Sequence, residues 1–281
     1  MEGLKLFMEK NALKNRTKKF KILGINLWEL LAYFIIYSIL GYVIETLFAL
    51  VRYGVLESRQ SFLYGPFCSI YGIGAIIMIM FLQYFMKNRS TLFIGGFLIG
   101  SALEYLVSLV GELILHVKWW DYSNMPLNIN GRICLYYSIF WGVLAIFLMK
   151  IIHPHVRNFL AYILKKLNLA IIKSIILAII VFIILDCFIS AYAINLFTIR
   201  MVAEYDLDVP HKQAICTIYE QVNKSNFRKK LINTVFKNEI MLKTYPNLKV
   251  QQTNGTIVYF KDLLPDIKSY YYRFQEKDFY K

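Results

Sequence analysis

Five long apolar runs govern what this chain can fold into. Trp28 to Val51, Tyr64 to Met86, Thr91 to Val117, Arg132 to Met149 and Ser174 to Phe197 are gathered stretches, not amphipathic patterns. At about 1.5 Å of helical rise per residue, each comes close to the ~30 Å thickness of a bilayer's hydrocarbon core. With 58% of its 281 residues hydrophobic, the chain reads as an all-α polytopic membrane protein of about five transmembrane helices. The first run is too long for a signal-peptide core and is followed by no A-x-A site, so it is expected to remain as the first span.

The net charge of +14 is distributed in a way that orients the spans. Lys5, Lys10, Lys14, Arg16, Lys18, Lys19 and Lys21 precede the first run, Lys87 and Arg89 follow the second, and five Lys/Arg lie between Lys150 and Lys173. The alternate loops hold only Arg52, Arg59, Lys118 and Arg132. Positive charge collects on the cytoplasmic side, which places the N-terminus there and, after five spans, the basic tail outside. Flanking charge of this kind serves orientation and contact with anionic lipid, so no nucleic-acid partner is expected. Cys68, Cys134, Cys187 and Cys216 form no C-x-x-C pair or zinc spacing; they read as packing residues, and no metal site is expected.

The order along the chain is a basic segment (1–26), a transmembrane domain (27–200) and a soluble basic tail (201–281). Within the spans, Glu45 to Val51 resembles Glu104 to Val110, and Ser69-Ile-Tyr-Gly72 resembles Ser138-Ile-Phe-Trp-Gly142. This suggests a parallel repeat of two hairpins, with a site between them. The second hairpin's loop is ten residues longer, counting Glu104 to Ser138 against Glu45 to Ser69. Residues 154–170 interrupt an apolar pattern with basic residues at helical spacing and read as an interfacial helix. The tail combines helical periodicity over Thr217 to Thr244 with a hairpin around Asn254-Gly255, a small α+β domain.

Carboxylates inside apolar runs carry the functional reading. Glu45, Glu104 and Glu112 each cost several kcal/mol in hydrocarbon unless protonated, paired or facing water. Ser101, Glu104, Ser108, Gly111 and Glu112 form one stripe on the third helix, and Ser38, Gly41, Glu45 and Arg52 another on the first. Arg59 and Arg132 precede the second and fourth spans on the outer side. One reading has these charges stitch helices together as ion pairs. The other has Glu45, Arg59, Glu104, Glu112, Asp121 and Arg132 line an outward cavity, with Trp119 to Gly131, including Trp120 and Asn128, as its lid. Asp186, one turn before Ser190, is a further buried acid. Gly72, Gly74, Gly95, Gly96 and Gly100 suit close helix approach, and Pro66 a helix start. His153-Pro-His155 reads as part of an interfacial basic cluster.

The chain lacks G-x-x-x-x-G-K-[ST], H-E-x-x-H, G-x-S-x-G and a dinucleotide fingerprint, so no cofactor is expected and ATP-driven work would need a separate ATPase subunit. Leu63-Tyr-Gly-Pro-Phe-Cys-Ser-Ile-Tyr-Gly72, Glu104-Tyr105, Trp120-Asp-Tyr-Ser123, Asn128-Ile-Asn-Gly-Arg-Ile-Cys134 and Trp141-Gly142 together resemble the CmpB-like bacterial membrane proteins labelled "putative ABC-transporter permease (type IV)". The resemblance covers residues 27–200. It departs at Arg59-Gln60, where Arg-Gly is expected, and at Ser69, where proline is expected. It implies a permease-like protein of the bacterial cell membrane and supplies neither a substrate nor a catalytic residue; the cavity reading is what points to a small polar solute, ion or lipid headgroup. Alternatives are a membrane enzyme acting on a lipid or polyprenyl substrate, with Glu104 or Asp121 as base, and a structural or assembly factor.

Overall fold

The computed structural model describes residues 21–115 and 120–274. The basic residues from Lys5 to Lys19, the end of the third run at Val117 and Trp119 of the long loop lie outside them. The described chain opens with a hairpin, β1 (Lys21–Ile22) and β2 (Ile25–Asn26), leading into α1 (Leu27–Tyr53) and the short β3 (Val55–Leu56). Next come α2 (Ser69–Leu82) with a 3₁₀ turn at Gln83–Phe85, α3 (Arg89–Leu115) and α4 (Leu135–Phe147). A π turn, Leu148–Ile152, carries α4 directly into α5 (His153–Lys166), and α6 (Leu169–Glu204) follows. The tail holds α7 (Lys212–Lys224), α8 (Asn226–Thr234), α9 (Asn238–Thr244), β4 (Lys249–Gln251), β5 (Ile257–Tyr259), α10 (Phe260–Leu263) and β6 (Tyr272–Arg273).

Among the described residues, four helical segments are long and apolar enough to cross a membrane: α1, α3, α4 continued through α5, and α6. The second expected span is a shorter apolar helix, Ser69–Phe85. Val51 and Phe188 are 87% and 72% exposed, an arrangement that water would penalise and lipid does not. The chain is a multi-pass membrane protein. The stretch read as an interfacial helix is helical over His153–Lys166 and continuous with α4.

Contacts divide the chain into two compact units, Met1–Tyr37 with Tyr71–Ile180, and Ser38–Ile70 with Val181–Lys281. In the first, glycines let α3 and α4 meet closely. A Cβ on Gly96 would fall 2.1 Å from the Ala145 Cβ, one on Gly100 2.5 Å from Trp141, and one on Gly142 2.7 Å from the Phe93 ring. Gly95 likewise makes room for Leu82, whereas Gly74, expected to serve the same purpose, faces open space. At the π turn the chain seats His153 beside α1. The Tyr37 hydroxyl and His153 Nδ1 are 3.1 Å apart, and Tyr33 meets the imidazole edge-on at 5.0 Å. His153 therefore belongs to a helix contact instead of the basic cluster read from His-Pro-His. Pro154 lies in the first turn of α5, where its missing N–H leaves no extra gap beyond those of a helix start.

The second unit has a buried apolar core at its tail end. Phe197, Met201 and Val202 at the end of α6 pack with Phe236, Met241, Leu242 and Phe260 of the tail. β4 and β5 form the expected hairpin, with Gly255 at φ 85° in its turn. β6 returns to pair antiparallel with β3, Leu56 opposite Tyr272.

In the same unit, α2 begins at Ser69 and not near Tyr64, because the preceding residues are held in an irregular turn. Gly65 adopts φ 78°, and Asp186 and Ser190 of α6 accept the Tyr64 and Leu63 amides at 3.0 and 2.6 Å. Pro66 sits in that turn and not at the first position of the helix. Both departures from the family pattern have local roles. Gln60 donates its amide to the Phe62 and Leu63 carbonyls, each at 2.9 Å. The Ser69 N–H, which proline would lack, donates to Ser61 Oγ at 3.1 Å.

Candidate functional site

α3 and α4 run in opposite directions from the loop that joins them, and side chains on both lean toward their own N-termini. On α4 that tilt is toward the loop; on α3 it is away from it. Glu104 of α3 and Trp141 of α4 therefore converge. Trp141 Nε1 donates to Glu104 Oε2 at 3.0 Å, and the Tyr122 hydroxyl, arriving from the loop, donates to Oε1 at 2.9 Å. Glu104 is only 8% exposed. One turn below, the Ser101 and Ser138 hydroxyls bond at 2.7 Å, and Ser108 lies buried one turn above.

The two described donors to Glu104 are neutral. They satisfy one lone pair on each oxygen and leave the carboxylate able to accept a further donor or a proton. Burial, then the neighbouring Glu104 charge, holds the Tyr122 phenol far above its usual range, so Tyr122 stays a donor across the accessible pH range.

Arg132 is paired with another acid of α3. Its Nη2 meets Glu112 Oε2 at 2.5 Å, and its guanidinium lies 5.5 Å from the Tyr105 ring centre. Asn130 donates to the Tyr105 hydroxyl at 3.0 Å, and Trp120 Nε1 to the Arg132 carbonyl at 2.9 Å. Tyr122 stacks on Tyr137 at 4.7 Å. Aromatic rings thus wall the polar groups at the loop end of α3 and α4.

The loop is folded on itself. Asp121 Oδ1 accepts from the Ser123 amide and hydroxyl at 2.9 and 2.5 Å, and Asn128 links the Ser123 and Met125 carbonyls to the Gly131 amide. Leu127, Asn130 and Gly131 have φ of 52°, 53° and 66°. A Cβ on Gly131 would lie 2.5 Å from Ser123 Oγ and 2.7 Å from Asp121 Oδ1, so this turn requires glycine. Asp121 and Asn128 shape the loop; Trp120, Arg132 and Glu112 are joined to one another, and Glu104 is tied to the loop through Tyr122.

Glu45 and Arg59 belong to the other unit. There Arg59 pairs with Glu57 at 2.7 Å, and Glu57 also accepts from Asn247 of the tail at 3.2 Å. Glu45 is half-buried on α1. Asp186, 2% exposed, serves the Tyr64-Gly-Pro turn. Sequence reasoning missed Trp141 and Tyr122 as the partners of Glu104, and Glu57 as that of Arg59. A signal for Trp141 existed, since it stands one helical turn beyond Ser138 on the face matching the Ser101–Glu104 stripe.

Residues 32–191, more than half the chain, match the sequence model of the CmpB family described as "Putative ABC-transporter type IV". The chain belongs to that family. The matched stretch of this CmpB-family protein contains Glu104, Tyr122, Arg132, Trp141 and Asp186, and ends before the tail core. No curated protein and no solved structure matches it.

Proposed function

We propose that this protein is the membrane subunit of an ABC-type transporter of the bacterial cell membrane, binding a small polar solute or headgroup at the Glu104 site. The reading rests above all on a carboxylate buried in a membrane helix and held by neutral donors. A group so costly to bury is retained where its charge or proton is used. The Arg132–Glu112 pair and the loop carrying Trp120, Asp121 and Asn128 form the entrance in this reading. ATP hydrolysis comes from a separate subunit. In this reading residues 27–200 carry the solute and residues 201–281 stand outside the membrane.

Five crossings fit this proposal better than four. Pairing of β3 with β6 requires the end of α1 and the tail, which follows α6, to share one side. If α2 did not cross, α1 and α6 would end on opposite sides. The N-terminal charge supports a cytoplasmic start, which puts the 120–134 loop and the tail outside.

The test compares solute profiles of cells and medium for a deletion strain, the strain complemented by wild type, and the strain complemented by Glu104→Gln at matched membrane levels. A solute whose distribution shifts on deletion should be restored by wild type and not by Glu104→Gln. Full restoration by the variant would remove Glu104 from the site.

A further inference from the structure

The tail unit contains a cleft of about 810 Å³, within the range of about 300–1,000 Å³ usual for small-molecule sites. Its walls come from the end of α6 (Arg200, Glu204), from α7 (Tyr219), and from α8 and the start of α9 (Lys229, Lys237, Asn238). None of these residues takes part in the Glu104 site.

Arg200 is what distinguishes this cleft from an ordinary surface groove. It is 7% exposed, its guanidinium lies 5.2 Å from the Phe197 ring centre, and Nη2 donates to the Phe236 carbonyl at 3.2 Å. That bond fastens the corner between α8 and α9 but uses one of five N–H donors. The buried Nε has no protein partner, and among the described residues no carboxylate lies within ion-pair distance of Arg200. Asn238 Oδ1, on the same cleft, is likewise buried without a partner. Buried polar atoms are nearly always satisfied, so an arginine and an asparagine with unfilled hydrogen-bonding capacity at one cleft mark it as a place for a ligand.

The remaining charges define that ligand. Lys229 and Lys237 add positive charge to that of Arg200, while Glu204, which accepts from the Tyr219 hydroxyl at 2.9 Å, and Glu239 add negative charge. A purely anionic ligand would face two carboxylates, and a purely cationic one three cations. A molecule with both signs a few ångströms apart suits the whole set.

We propose that the cleft binds a small zwitterion, its carboxylate or phosphate on Arg200 and its ammonium directed to the two glutamates. A free amino acid or short peptide and an ethanolamine-type lipid headgroup share this chemistry. The site lies within one compact unit and does not depend on the permease reading.

The test is titration calorimetry on the full chain in detergent, using single amino acids, dialanine and phosphoethanolamine, with acetate, methylamine and inorganic phosphate as single-charge controls. At least one zwitterion should bind at least tenfold more tightly than every control. Preference for amino acids or dialanine identifies a free solute, and preference for phosphoethanolamine a headgroup. Glu204→Gln, at an exposed position that tolerates the change, and Arg200→Lys should each weaken binding at least tenfold. Glu104→Gln should leave it unchanged, so this site and the Glu104 site fail or stand separately. No zwitterion binding above the controls, or full affinity in both cleft variants, would overturn the proposal.

Discussion

Replacing Glu104 by glutamine probes the arrangement at its centre, because both carboxylate oxygens are acceptors, one from Tyr122 at 2.9 Å and the other from Trp141 at 3.0 Å. A glutamine offers one oxygen and one NH₂. Its oxygen must take the indole N–H, which has no lone pair to offer, so its NH₂ faces the Tyr122 hydroxyl, which can accept only by giving up its own donation to residue 104. Losing one bond and stranding a donor costs about 2–3 kcal/mol, which is about 30- to 150-fold in the unfolding equilibrium. Trp141→Phe removes the facing indole N–H and, in the wild-type background, costs about 1.5–3 kcal/mol if the bond is to a charged group. In the glutamine background the indole donates to a neutral oxygen instead of a charged one, so the cost of the same change should fall by about 1 kcal/mol, within the range of coupled neighbours. The packing loss from indole to phenyl is common to both arms and cancels. The assay is reversible unfolding in mixed micelles followed by far-ultraviolet circular dichroism. Additivity within about 0.5 kcal/mol would refute the inference that Glu104 is held by both donors.

Gly100→Ala places a methyl about 1 Å inside ordinary contact with Trp141 and should destabilise by about 1–3 kcal/mol, read as a lowered thermal midpoint; an unchanged midpoint would contradict the close α3–α4 approach. Asp186→Ala strands the Tyr64 amide in a buried turn and should cost about 1–3 kcal/mol, with faster proteolysis between Glu57 and Cys68; equal proteolysis would show the turn is held otherwise. In a cysteine-free background, a cysteine at Thr256 in the tail hairpin should react with a membrane-impermeant maleimide added to intact spheroplasts. Labelling only after lysis would put the tail inside and refute five crossings from a cytoplasmic start.

The apolar runs made the membrane class and four long helices legible, because run length is fixed by bilayer thickness and needs no tertiary information. The start of α2 was not legible. Tyr64-Gly-Pro reads locally as a helix start, but its amides are claimed by Asp186 and Ser190, more than a hundred residues away in sequence. The continuity of α4 into α5 was hidden for a similar reason: a π turn lets a helix pass through His153-Pro154 while Tyr33 and Tyr37 of α1 supply the imidazole's neighbours. At the candidate site, the intramembrane acids and Arg132 stood out as charges in an apolar setting. Trp141 and Tyr122 did not, since aromatic residues near a membrane surface have an ordinary explanation, and only the directions in which α3 and α4 project their side chains reveal that these two reach Glu104. Asp121 and Asn128 were conspicuous because a tight loop with three residues at positive φ needs them as much as a ligand would.

The most direct test of the central claim is retention of solutes by purified protein. Wild type, Glu104→Gln and a Gly74→Ala control, whose added methyl meets open space, would be incubated with a small-molecule cell extract, washed, eluted and analysed by mass spectrometry. At least one polar solute should be enriched on wild type and the control and fall at least tenfold on Glu104→Gln. The same retained set on all three proteins would contradict a solute site at Glu104.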